Sequence, residues 1–157
     1  MAELLDFLLK TGFEAVKTYI QSGNSILQSS NDNTEIEPKM RGLIQSHFKF
    51  DVPVMARTKA ELHRVFDACP FFEDKKKNSY FVLLSKIPKP QLVDEVMKIT
   101  HDNEVFHIID DCIYFNYFVG YGNSKFNMNS FEKKLNVKAI SRNLKTIVKL
   151  IAMSSEN

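Results

Sequence analysis

Hydrophobic positions along the chain change period several times, and each change marks an element. Leu4, Leu5, Leu8 and Leu9 recur at helical spacing, and Gly12 sits where a left-handed C-cap ends a helix, so residues 2–10 are predicted helical. The period then drops to two. Val16, Thr18 and Ile20 alternate with Ala15, Lys17 and Tyr19, the turn Gln21-Ser22-Gly23-Asn24 interrupts, and residues 25–29 resume an extended run, the pattern of a β-hairpin. Thr34-x-x-Glu37 reads as a capping box ahead of Met40, Leu43, Ile44 and His47 on one helical face. Residues 52–57 read as a strand, with Pro53 near its beginning or on an edge, where its missing N–H does no harm. A second capping box, Thr58-x-x-Glu61, opens a helix with Leu62, Val65, Phe66 and Cys69 inward, closed by Pro70.

Residues 71–78, with Glu73-Asp74 beside Lys75-Lys76-Lys77, interrupt the apolar pattern and are expected to be a linker. Beyond them, residues 79–85 form a strongly apolar strand, and Leu92, Val93, Val96 and Met97 a helical face behind Pro88 and Pro90. Residues 104–109 and 112–119 form a second hairpin around Asp110-Asp111. A loop at 120–125, a helix at 127–135, a strand at 137–140 and a final helix follow, the last with Leu144, Ile147, Val148 and Ile151 inward. The second half is thus β-α-β-β-α-β plus a terminal helix, the ferredoxin-like order, and the first half matches it without a leading strand. The expectation is an α+β fold of two tandem ferredoxin-like (βαββαβ) halves, residues 1–70 and 79–157, the first incomplete at its N-terminus. In that arrangement the leading strand is central, and its absence leaves two neighbours without ladder partners. A native gene product is therefore expected to begin upstream of Met1.

Composition places the chain in the globular class. It has 157 residues, 44% hydrophobic and 25% charged. A net charge of +2 announces neither a nucleic-acid nor a membrane partner. Cys69 and Cys112 lie far apart with no metal spacing, which fits a reducing cytosol and gives no reason to expect zinc. Glu3 and Asp6 stand where a secretory signal would be basic.

Candidate chemistry is polar and concentrated in loops. Gly120, Gly122, Ser124 and Lys125 offer two glycines, a hydroxyl and an ammonium just before a predicted helix, a suitable place for phosphate or carboxylate, though the spacing is not that of a P-loop and a plain strand-to-helix turn needing positive φ is the competing reading. Arg142 and Asn143 open the last helix with Thr146 one turn on, where a capping role for Asn143 or Ser141 competes with ligand binding. The first turn adds Gln21, Ser22 and Asn24. Phe106, Tyr114, Phe115, Tyr117 and Phe118 crowd the second hairpin; rings on both strand faces point to a sheet buried on both sides rather than to a base-stacking platform. No metal site, nucleophile–base pair or cofactor motif emerges from the order of residues.

Four segments in order carry a likeness: Val16-Lys17-Thr18-Tyr19-Ile20-Gln21-Ser22-Gly23-Asn24, Phe48-Lys49-Phe50-Asp51-Val52-Pro53-Val54, Gly120-Tyr121-Gly122-Asn123-Ser124-Lys125 and Ser141-Arg142-Asn143-Leu144-Lys145-Thr146. Together they resemble the bacterial domain of unknown function 1697 family over essentially the whole chain. The resemblance implies a cytosolic protein of two ferredoxin-like halves, with no biochemical activity to carry over. It also implies an earlier start, since members begin with a strand and an arginine- and glycine-containing segment before the first helix. The functional expectation is a small phosphate- or carboxylate-bearing ligand bound between the halves by Gln21, Ser22, Asn24, Gly120, Gly122, Ser124, Lys125, Arg142, Asn143 and Thr146, with no cofactor and no membrane partner. Nucleic-acid binding on a sheet face and a non-catalytic interaction module are the alternatives. The sequence leaves open whether the protein is an enzyme and what its oligomeric state is.

Overall fold

A computed structural model of the chain describes residues 2–19, 23–99, 104–117 and 127–156. Over these residues the fold is mixed α/β, with seven helices and two antiparallel sheets. The chain divides into two units, residues 1–62 with 148–157, and residues 63–147.

The first unit begins with α1 (Ala2–Lys10), which ends at Gly12 with φ of +89°, and continues into β1 (Glu14–Tyr19) and β2 (Asn24–Gln28). These strands pair antiparallel, Tyr19 opposite Asn24, with the register shifting between Glu14 and Lys17. Ala15 lies at that shift with φ of 49°, the left-handed conformation of a bulge residue. α2 (Asn33–Phe48) follows. Its cap lies two residues earlier than the predicted Thr34-x-x-Glu37 box: the Asp32 carboxylate accepts the Glu35 N–H at 3.1 Å, and Glu35 accepts the Asp32 N–H at 3.3 Å. The physical reason is that Glu37 is engaged elsewhere, accepting the Ala56 N–H at 2.8 Å. Leu8, Phe13, Val16 and Met40 form the core of this unit, with Leu4, Leu5, Leu27, Leu43, Ile44 and Val54 packed on it.

Residues 51–58 differ from expectation. They belong to no strand, although Val54 reaches the core. A strand is defined by its ladder, and among the described residues the sheet of this unit has only β1 and β2. α3 (Lys59–Asp67) comes next, opened as predicted by Thr58 and Glu61: the Glu61 N–H donates to Thr58 Oγ1 at 3.2 Å and the Thr58 N–H to Glu61 Oε2 at 2.6 Å.

In the second unit the expected linker at 71–78 is instead a short helix, α4 (Glu73–Lys76), tied to the sheet through the Lys75 carbonyl, which accepts from Asn116 Nδ2 and from Ser79 Oγ. The unit continues with β3 (Ser79–Leu84), α5 (Pro90–Val96), β4 (Glu104–Ile109), β5 (Cys112–Tyr117), α6 (Met128–Leu135), β6 (Ala139–Asn143) and the start of α7 (Leu144–Ser155). Its sheet has the order β4-β5-β3-β6, every neighbour antiparallel, so β3 is bracketed by β5 and β6.

Both faces of the central strands are buried. Val82, Leu84, Ile113 and Phe115 join Val96, Phe106, Phe131, Leu135, Val137 and Ala139 in one cluster. Phe81 and Tyr114, also buried, meet edge to face with centroids 5.5 Å apart. The Tyr114 hydroxyl donates to the Val65 carbonyl of α3 at 2.6 Å, and burial pushes its pKa well above the ordinary phenol value. The rings of Phe106, Tyr114 and Phe115 are therefore core; the Tyr117 side chain and Phe118 lie outside the described residues. β6 runs three residues past its predicted end because Arg142 and Asn143 stay in register with Phe81 and Tyr80. Arg142 and Asn143 thus end a strand, and α7 begins directly after them at Leu144.

Candidate functional site at the strand-to-helix junctions

The polar residues predicted near the C-terminus meet where β6 turns directly into α7. β3 holds one edge of β6 by its ladder. On the other edge the Ala139 N–H donates to the Glu132 carboxylate of α6 at 2.8 Å, which fixes the helix to the strand. Arg142 is half-buried, and its Nη1 donates to the Ser141 carbonyl at 2.8 Å. Desolvation pushes the guanidinium below its ordinary pKa. A cation in such surroundings gains more from an added anion than a fully solvated one does.

Asn143 is the helix cap: its Oδ1 accepts the Thr146 N–H at 2.9 Å. The cap uses the amide oxygen and not the Nδ2 donor of this side chain. Thr146 is only 4% exposed, which makes it a poor contact for anything arriving from solvent.

Asn24 belongs to the first unit, 7% exposed, and donates through Nδ2 to the Tyr19 carbonyl at 3.3 Å, closing the hairpin. Gln21, Ser22, Gly120, Gly122, Ser124 and Lys125 lie outside the described residues. Of the ten predicted residues, Arg142, Asn143 and Thr146 are the three brought together in one described place.

A second junction has the same construction and was not read from the sequence. The Ala56 N–H donates to Glu37 of α2, as the Ala139 N–H does to Glu132 of α6. Arg57 Nη1 donates to the Ala56 carbonyl at 2.8 Å, as Arg142 does to Ser141. Thr58 then caps α3 as Asn143 caps α7. Even the preceding helix ends agree, for Lys49 after α2 and Asn136 after α6 both adopt the left-handed conformation, with φ of 64° and 54°. The signal was Ala56-Arg57-Thr58 set against Ser141-Arg142-Asn143, an arginine followed by a cap residue. At this junction Arg57 Nη1 lies 3.7 Å from Glu37 Oε1, with the Arg57 side chain 9% exposed.

The described residues contain no group of three or more His, Cys, Asp and Glu placed to hold a metal. An open groove of about 220 Å³, lined by Ile87, Pro88, Pro90, Val93, Asp94, Ile108 and Asp110, contains none of the predicted residues. No described helix is long and apolar enough to cross a membrane.

A family model described as a protein of unknown function (DUF1697) matches residues 1–114 of the 157. The chain belongs to that family. Among solved structures this DUF1697 chain is similar to the conserved bacterial protein SP0830 from Streptococcus pneumoniae, at 20% identity and a TM-score of 0.71, over 98% of this chain and 88% of that one. That likeness bears on the DUF1697 fold alone. A search of curated proteins finds no match.

Proposed function

We propose that the chain is a small-anion binding module built from two related ferredoxin-like halves, with Arg142 at the β6–α7 junction as the ligand's charge partner. The order β4-β5-β3-β6 supports the ferredoxin-like reading of the second half, and the repeated junction supports the relation between halves. The observation that carries the ligand reading is the half-buried guanidinium beside the first turn of α7. A phosphate or carboxylate there gains a charge-assisted bond and the positive end of a helix together. In this reading Lys125 adds a second charge, and Ser124 and the Gly120 and Gly122 main chain add donors. Cys69 and Cys112, neither of them in a disulfide, support a cytosolic setting.

Calorimetric titration with inorganic phosphate, pyrophosphate and succinate tests it. Saturable binding by at least one is expected, and Arg142→Gln weakens it roughly 10- to 100-fold, the usual worth of a hydrogen bond to a charged group. Arg57→Gln, whose guanidinium already faces Glu37, changes affinity less than about twofold. Binding that Arg142→Gln leaves intact, or retention of single-stranded oligonucleotide with a steep salt dependence in place of small anions, overturns the reading.

A further inference from the structure

The two outer strands of the second unit's sheet are finished differently. β6 is held on its outer side, where the Ala139 N–H donates to Glu132 of α6 and the Ser141 carbonyl accepts from Arg142. β4 pairs with β5 alone, and one bond fixes the direction of its main-chain groups. The Leu84 N–H donates to the Asp111 carbonyl at 2.8 Å, so Asp111 faces β3. Successive residues alternate between edges, so Cys112 faces β4 and its opposite number Ile109 faces β5; Ile108 and Phe106 therefore turn their N–H and carbonyl groups to the outer edge. Among the described residues no hydrogen bond reaches that edge. Proteins commonly blunt such an edge with lysine, proline or a bulge. β4 has no lysine or proline, and its register with β5 runs without a shift from Glu104 to Ile109.

Apolar surface gathers at the same edge. α5 lies along β4 and antiparallel to it: Val93 and Val96 pack in the cluster of Phe106 and Ile108, and the open groove sets Pro90, Val93 and Asp94, from the start of α5, beside Ile108 and Asp110, from the end of β4. Ile87 just before α5, Met97 just after it and Val105 on β4 are all exposed. The groove also carries two carboxylates. Asp94 meets no cation among the described residues, and Asp110 lies 3.9 Å from Arg64. Lys98, exposed next to Met97, has no ion pair among them either. Lys86 and Lys89 flank the groove in sequence without lining it.

A two-fold axis near the middle of β4 sets the β4 strands of two copies antiparallel, and with them the end of one copy's α5 beside the start of the other's. The outward main-chain groups then extend each other's ladder, while the partner's Met97 and Lys98 arrive at a groove with apolar walls and two carboxylates. An isologous contact needs one patch that carries both halves of its own complement, and this patch does. A foreign strand matches the ladder alone. We propose that the outer edge of β4 docks a second copy of this chain, joining the two sheets into one, with Met97 of each copy in the groove of the other. This does not rest on the anion reading.

Sedimentation velocity between about 2 and 500 µM, the range for an interface of modest size, and hydrogen exchange read by mass spectrometry test this. A monomer–dimer equilibrium is expected, with exchange in residues 105–109 slowing at least tenfold as the dimer fills. Val105→Lys, which places a lysine on the edge, and Met97→Glu, which brings a carboxylate to Asp94 and Asp110, are each expected to weaken association at least tenfold. Asp94→Lys is expected to weaken it by setting an ammonium against the partner's Lys98. The Met97→Glu and Asp94→Lys proteins mixed are expected to associate more tightly than either alone, because the new carboxylate of one meets the new ammonium of the other while the second groove keeps its native contacts. That mixture decides the matter even where Val105→Lys fails to fold. A monomer throughout the range, a dimer that all three variants leave intact, protection confined to other strands, or a mixture no tighter than its components overturns the proposal.

Discussion

Among the described residues one cluster of ten buried side chains gathers around β3 and its neighbours in the second unit, with Phe81 and Tyr114 buried besides, whereas the cluster of the first unit has four, with α1, α2 and Val54 contributing residues that stay half-exposed. The peripheral parts correspond closely: left-handed helix ends at Lys49 and Asn136, glutamates at 37 and 132 on the N–H groups of Ala56 and Ala139, arginines at 57 and 142 on carbonyls. What separates the units is the middle of the sheet. A central strand supplies two ladders and apolar side chains to both faces, so its neighbours bury more deeply when it is in place.

The largest expected effect compares a leucine in each sheet. Leu84 of β3 is fully buried, and Leu84→Ala is expected to cost about 2–5 kcal/mol in urea unfolding, the range for removing a well-packed leucine. Leu27 of β2 is half-buried, and Leu27→Ala is expected to cost less than about half as much. Equal costs break the distinction between the units.

Next in size are the two caps. Thr58→Ala and Asn143→Ala are each expected to cost about 1 kcal/mol, because each removes the acceptor for a helix N–H. Similar values support equivalence of the junctions. A cost near zero at one of them breaks it.

Helices and hairpins were legible because periods of 3.6 and 2 are local properties, and Leu4 to Leu9 or residues 104–109 carry them without reference to anything distant. Residues 52–57 have the composition of a strand, but pairing needs a second segment, and no local pattern reports on that. The α2 cap was misplaced because Asp32 and Thr34 both suit the role, and the choice turns on Glu37 reaching Ala56, 19 residues on. The charge run around Lys75 hid a helix because it is held by a carbonyl, and side-chain composition says nothing about carbonyls. For the site, Arg142 and Asn143 stood out as cap and cation. The likeness of Arg57-Thr58 to them is too short to notice until the hydrogen bonds are laid side by side.

The smallest effect separates the units by chemistry rather than packing. α2 is capped by the carboxylate of Asp32, α6 by the amide of Asn127, each accepting a main-chain N–H at 3.1 Å. The Thr34 hydroxyl, donating at 2.6 Å, and the Glu35 N–H hold the Asp32 pKa below its ordinary value of 3.8. A carboxylate with a depressed folded pKa contributes stability that is fully present above the unfolded value and is lost as pH falls through the folded one. Between pH 5 and pH 2, exchange of the first-turn amides of α2, corrected for the intrinsic rate, is therefore expected to speed up relative to those of α6. Asp32→Asn keeps an acceptor that does not titrate, and is expected to bring the pH dependence of α2 into line with that of α6. If the two helices respond alike in the unaltered protein, Asp32 does not set the stability of its helix end, and the resemblance between the units extends further than their caps suggest.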